Sequence, residues 1–267
     1  MTGASSGLGR EFALALAKRG YRVLAVARRG DRLQVLAEEV ARDGGRLEPL
    51  VADLSSAEGV DAVLTAVAGR DVALLINNAG LATYGHFVSA SPGRQRELVR
   101  VNVEAVVALT SGMLPAMLER GQGGVINVAS QMAFQPMPYF AAYSASKAFV
   151  LSFSEALAEE LRGSGVVVTA VAPGFVRTEF AAAAGSEAPE RRFPHLRPEQ
   201  VVHAALRAHE RDRVVKVVGS LYVFLTLAGR LAPRAVLRRM MERVMRPPTA
   251  ATSKSERARR RTDRGKE

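Results

Sequence analysis

The sequence predicts an α/β fold, a doubly wound parallel sheet in a single domain. Short apolar runs bounded by glycine or charge alternate with amphipathic stretches of helical period along the body of the chain. The runs are apolar throughout instead of alternating with polar residues, which suits strands covered by helices on both faces. A glycine-rich turn, TGASSGLG, stands directly before the first helical stretch.

The first helix follows from Glu11, with Phe12, Leu14, Ala15 and Leu16 ahead of Lys18, Arg19 and Gly20. YRVLAVA (21–27) reads as a buried strand, and Leu33, Leu36, Ala37 and Val40 share one face of a helix over 32–42. LEPLVADL is the next strand, 57–67 a helix, DVALLINNAG a strand and 97–120 a long helix. GGVINVAS, a helix over 143–162, GVVVTAVAPG, a helix over 201–210 and RVVKVVG complete the alternation. No internal repeat or linker divides residues 1–250, and right-handed crossovers would join the strands.

At 267 residues with 48% hydrophobic and 24% charged residues, the chain has enough apolar material for one large core. The absence of cysteine excludes disulfides, thiolate metal sites and cysteine nucleophiles, and is compatible with a cytoplasmic location. His86, His195, His203 and His209 lack ligand spacing, so no metal is expected. No signal-type apolar segment opens the sequence, and VVGSLYVFLTLAG (217–229) is shorter than the roughly 20 residues of a membrane span. Part of the net charge of +11 lies in residues 254–267, where seven Lys or Arg face three Asp or Glu. Residues 251–267 read as a disordered basic tail, for which nucleic-acid binding is the less favoured role.

In a doubly wound sheet, ligands bind beyond the carboxyl ends of the strands. Residues placed there include 3–9, Arg28, Asp53, 77–80, Ser130 and 173–178. Gly3, Gly7 and Gly9 would let the backbone approach a phosphate at a helix N-terminus, although glycine turns before helices are common. Tyr143 and Lys147, four apart in YSASK, share a helix face. An ammonium beside a phenol favours the phenolate, so such a tyrosine can exchange a proton with a carbonyl/alcohol pair. Ser130, ending the preceding strand, could hydrogen-bond the same oxygen; an exposed Tyr and Lys on a helix surface is the alternative.

The sequence resembles the single-domain short-chain dehydrogenase/reductases. The resemblance rests on TGASSGLG, Asp53-Leu54, NNAG, Asn102 in RVNVEA, Ser130 in NVAS, YSASK and PGFVRT, in order over roughly the first 180 residues. It implies a Rossmann-like fold and hydride transfer between a nicotinamide cofactor and a carbonyl/alcohol pair. Tyr143 would be the proton donor or acceptor, Lys147 would lower its pKa and hold the nicotinamide ribose, and Ser130 would orient the carbonyl. Asn102 would kink its helix and place a water that links Lys147 to bulk. Gly3, Ser5, Ser6, Gly7, Leu8 and Gly9 would hold the phosphates. Asp53 and Leu54 would meet the adenine, and Asn78, Ala79 and Gly80 the adenosine ribose region. Pro173, Gly174, Val176 and Thr178 would lie at the nicotinamide, Thr178 on its amide.

Arg28 and Arg29 follow the second strand of such a fold, where a guanidinium suits a ribose 2′-phosphate. The expected cofactor is NADP(H), with Arg28 the main contact; NAD(H) remains open, as does a purely solubilising role for the two arginines. Met132, Phe134, Met137, Tyr139 and Phe140 precede Tyr143 and suggest an apolar, lipid-like substrate. Residues 179–200 would form a lid, with Arg191 and Arg192 on it, and 220–246 an amphipathic extension that lies on a membrane, a pocket or a partner subunit. The resemblance further implies a homodimer or homotetramer pairing through the helices of Asn102 and Tyr143. A cofactor-binding sensor or scaffold without turnover is the alternative function.

In the family the glycine turn follows an inner strand, whereas here only Met1 and Thr2 precede it. A missing inner strand strands backbone groups at about 1–3 kcal/mol each, against a total stability of about 5–15 kcal/mol. The expectation is a rearranged sheet, or a natural chain that starts upstream of Met1 at a valine codon.

Overall fold

The parallel strands and their covering helices follow the predicted alternation. The structure, a computed structural model, describes residues 1–186 and 193–247. The strands are β1 Arg22–Ala27, β2 Arg46–Val51, β3 Leu74–Asn77, β4 Gly123–Val128, β5 Val166–Pro173 and β6 Val215–Val218. β1 pairs with β2, and β3-β4-β5-β6 form a second sheet, all in parallel.

Among the described residues, the N-terminal segment alone lies between β1 and β3. Thr2 N–H donates to Ile76 O at 2.9 Å, Val26 N–H to Met1 O at 2.9 Å, and Ala4 N–H to Val26 O at 3.1 Å. The Met1 ammonium donates to Leu24 O at 2.7 Å, and burial lowers its pKa to about 5. Three residues, Met1, Thr2 and Ala4, thus stitch together two sheets that an inner strand would join along their length.

Helices cover both faces. On one, α1 Gly7–Lys18, α2 Gly30–Arg42 and α8 Pro198–His209 bury Phe12, Leu16, Leu33, Leu36, Val201 and Val202. On the other, α3 Ala57–Val67, α5 Ala105–Glu119 and α6 Ala141–Glu160 bury Val63, Leu109, Met113 and Leu157. Successive strand residues point to opposite cores: Ile76 and Ile126 to the first, Leu75 and Val125 to the second.

The long helix before β4 starts earlier than its apolar pattern implied. Ser91 accepts from Arg94 N–H and Pro92 takes the first turn, so helix α4 spans Pro92–Val99. It runs through a π-helical turn, Arg100–Glu104, into α5. The expected kink at Asn102 takes the form of this turn.

After β5, the short helix α7 (Phe180–Ala184) begins the segment expected to be a lid. Its base is pinned where Leu196 N–H donates to Phe175 O and Arg177 N–H to Leu196 O. Arg191, Arg192 and the tail 251–267 lie outside the described residues. The amphipathic extension is two helices, α9 Ser220–Leu231 and α10 Arg234–Met245. Pro233 forces Ala232 into an extended conformation, which separates them.

Candidate active site

The glycine turn is built by three different steric needs. Gly3 and Gly7 have φ of +69° and +52°, and a Cβ on either would meet Asn78 Nδ2 at 2.8 Å or Thr178 Cγ2 at 2.9 Å. Gly9 does not line the cavity: a Cβ there would lie 2.0 Å from Gly3 O, so this glycine serves the packing of helix on turn. Asn78 is tied to the same turn, its Nδ2 donating to Thr2 O at 3.0 Å and Gly3 O at 3.3 Å. Thr2 Oγ1 accepts in return from the N–H groups of Asn78 and Ala79, both at 3.0 Å. The carboxamide expected near an adenosine ribose therefore braces the loop, while Asn78 still borders the cavity.

This turn opens into a cavity of about 440 Å³. Gly3, Ser5, Ser6, Gly7, Leu8, Arg28, Arg29, Asp53 and Leu54 line one end. Ser130, Tyr143, Lys147, Pro173, Gly174, Val176 and Thr178 line the remainder, with Asn78, Ala79 and Gly80 between. Every catalytic or cofactor candidate except Gly9 and Asn102 thus borders one space, because each stands at the carboxyl end of a strand or near the start of a helix. Of the expected apolar substrate residues Met132 and Phe140 line it, whereas Phe134, Met137 and Tyr139 do not. The open turn and flanking guanidinium groups fit a dinucleotide.

Tyr143 and Lys147 lie one turn apart near the start of α6, with Lys147 Nζ 5.9 Å from the Tyr143 ring centroid. Lys147 is 5% exposed and donates to Val128 O at 2.7 Å. Burial lowers its pKa from 10.5 to about 8. Gly80 is the wall opposite, since a Cβ there would stand 3.4 Å from Lys147 Nζ and 3.5 Å from Asn102 Oδ1. Ser130 Oγ accepts from Met132 N–H at 3.1 Å, which leaves its own O–H proton to donate.

Asn102 is fully buried behind the cavity. Its Oδ1 accepts from Leu81 N–H at 2.8 Å, and its Nδ2 donates to Leu81 O and Ser146 Oγ, each at 2.9 Å. The side chain is therefore committed to holding the loop after β3 against α6.

At the other end Arg29 is set deeper in the turn than Arg28. Its Nε donates to Ser5 Oγ at 3.1 Å and its Nη2 to Ser6 Oγ at 2.8 Å. Arg28 instead reaches Glu97 at 2.8 Å, and Arg94 joins the same carboxylate at 2.7 Å. Burial pulls the Glu97 carboxyl upward, but hydrogen bonds from Arg94 and Arg28 outweigh it and hold the group below its usual range. Glu179 spans the cavity mouth to Arg29 at 3.1 Å and Arg32 at 2.7 Å, and hydrogen bonds from Arg32 and Arg29 lower its pKa. Arg94, Glu97 and Glu179 were not legible as site residues; only the position of Glu179 directly after Thr178 hinted at one.

Apolar side chains close the catalytic end. Phe180 stands with its ring centroid 5.6 Å from that of Tyr143, Phe140 at 6.2 Å, and Met132, Phe175 and Leu81 complete the wall.

A model of the short chain dehydrogenase family matches residues 1–189. An uncharacterized oxidoreductase of Myxococcus xanthus is 41% identical over 186 residues, covering 68% of this chain and 73% of the relative. A very-long-chain 3-oxoacyl-CoA reductase of Anas platyrhynchos is 32% identical over 212 residues, which is 77% of this chain but 66% of the relative's length. Among solved structures, a short-chain dehydrogenase from Sphingobium yanoikuyae in complex with NADPH superposes with a TM-score of 0.78 at 32% identity, covering 94% and 96% of the two chains.

Proposed function

The chain belongs to the short-chain dehydrogenase/reductase family of oxidoreductases, and from that premise we propose that it transfers hydride between NADP(H) and a carbonyl/alcohol pair on an apolar, lipid-like substrate. The observation that carries this reading is the presence of Ser130, Tyr143 and Lys147 on one cavity with the glycine turn. The nicotinamide supplies or accepts the hydride when bound.

Ser130 donates a hydrogen bond from its hydroxyl to the substrate oxygen and fixes its orientation, keeping its own proton. Tyr143 gives that oxygen its phenolic proton in reduction and recovers it in oxidation. Lys147 stabilises the phenolate left behind, and with a pKa of about 8 it is mostly charged at neutral pH. Asn102 is a positioning residue: its carboxamide is occupied by Leu81 and Ser146, so a water relaying protons to Lys147 would be held by backbone of the π-helical turn.

Arg28 and Arg29, with the Ser5 and Ser6 hydroxyls, favour a 2′-phosphate over a bare ribose hydroxyl. The aromatic and methionine wall around Tyr143 favours an apolar substrate, in keeping with the acyl-CoA reductase among the relatives. Of the expected lid, α7 (Phe180–Ala184) covers this wall through Phe180. A homodimer or homotetramer could pair on α6 at exposed Phe149, which stacks on the half-buried Phe153.

The test is NADPH oxidation against a panel of long-chain and polycyclic ketones, with Tyr143→Phe as control. The variant should keep NADPH binding, followed by nicotinamide fluorescence, and lose turnover by about 10²–10⁴-fold. Undiminished turnover in Tyr143→Phe would remove the proposed chemistry. NADPH binding with no turnover on any ketone would favour the sensor reading.

A further inference from the structure

We infer that α9 and α10 form a docking surface for an anionic lipid bilayer. No charged residue occurs from Ser220 to Gly229. At about 100° per residue, Leu221, Val223, Phe224, Leu227, Ala228 and Leu231 fall on one side of α9. All six are exposed, Phe224 at 66%, Leu227 at 56% and Leu231 at 89%. The opposite side packs inward through Tyr222 and Thr226, and Tyr222 Oη donates to Pro194 O at 2.6 Å. The helix is thereby held with a predominantly apolar side toward solvent, interrupted by exposed Ser220 in its first turn, where a surface helix ordinarily carries more polar groups.

α10 follows α9 directly in the chain and adds exposed apolar residues and charge. Val236 and Met240 are exposed, and Arg239, Arg243 and Arg246 flank them on adjoining positions of the helix. The one acidic residue of α10, Glu242, is engaged by Tyr139 Oη at 2.7 Å and by Arg246. An apolar strip edged by guanidinium groups matches the boundary between acyl chains and anionic headgroups. A second copy of this chain fits less well, because a two-fold contact would set the α10 arginines of both copies against one another.

The surface also lies next to the reaction site. The inner side of α10 places Met241, Val244 and Met245 against the cluster of Met132, Met137, Phe140 and Tyr143. A lipid leaving the bilayer at this surface would reach the apolar wall with one helix to pass. That consequence rests on the proposed function, whereas the docking itself does not.

The experiment is co-sedimentation of the full chain with vesicles of phosphatidylcholine alone or mixed with phosphatidylglycerol, at low and high salt. The chain should partition onto the mixed vesicles and dissociate as salt rises. Phe224→Ser with Leu227→Ser, and separately Arg239→Glu with Arg243→Glu, should each lower partitioning by about tenfold or more. Unchanged thermal melting would show that these variants fold. Absence of binding, or equal binding to both vesicle types, overturns the proposal. So does binding that survives both helix variants and disappears with Arg259→Gln, Arg260→Gln and Arg261→Gln in the tail. Self-association abolished by the Phe224 and Leu227 changes, without vesicle binding, overturns it in favour of a second copy. All arms read binding, so failure of the catalytic reading leaves them interpretable.

Discussion

Lys147→Met should make the protein more stable while removing its activity. The lysine is buried with a pKa lowered from 10.5 to about 8, through burial alone. A base whose folded pKa is depressed binds fewer protons folded than unfolded, so stability rises with pH between about 8 and 10.5. Below pH 8 the cost of keeping Lys147 inside is fully present, and 2.5 units correspond to about 3 kcal/mol. Methionine fills a similar volume without charge, but it forfeits the hydrogen bond to Val128 O, worth about 1 kcal/mol. The net gain at pH 7 is about 2 kcal/mol, or roughly 4–8 °C in Tm for a domain of this size. Thermal unfolding of both proteins, followed by circular dichroism from pH 7 to 10, measures it, and NADPH oxidation on the same samples should fall by about 10²–10⁴-fold. The advantage of the variant must shrink as the pH rises above about 8, since the wild-type lysine is then neutral in the folded protein while the unfolded chain still holds its proton. A variant less stable at pH 7, or a difference constant across the range, would refute the argument from burial.

Arg29→Ala should weaken NADPH binding by about 10–100-fold and leave NADH within a few-fold, since a charge-assisted contact is worth about 1.5–3 kcal/mol; fluorescence titration of both cofactors decides it. Glu179→Ala should raise NADPH affinity by about 2–5-fold, because it releases Arg29 from an exposed ion pair worth less than about 1 kcal/mol, and the gain should disappear in high salt. Gly9→Ala drives a Cβ to 2.0 Å from Gly3 O, so Tm should fall by an amount corresponding to about 1–3 kcal/mol, with cofactor binding lost as the turn opens.

The alternating strands and helices, and most of the residues around the cavity, were legible in the sequence. Buried parallel strands are apolar over their whole length, and strand ends converge at one edge of such a sheet. Ser130, the YSASK helix and the glycine turn could therefore be placed together before any contact was known. The reading was local, and local spacing is silent about partners far along the chain. Glu97 meets Arg28 across 69 residues and Glu179 meets Arg29 across 150, and neither carboxylate carries a mark of this in its neighbours. The same limit hid the packing duty of Gly9, which depends on where Gly3 O lies, and the task of the Asn78 carboxamide, which depends on Thr2. The proline that splits the C-terminal extension was visible, yet residues 220–246 read as a single amphipathic extension without a break. The sequence by itself determined the fold class and which residue types stand at the strand ends, because periodicity and residue type are local properties. The pKa of Lys147, the pairing of each arginine and the division of the sheet around Met1 and Thr2 were decided only in three dimensions, where burial and distance act between segments that the chain order keeps apart.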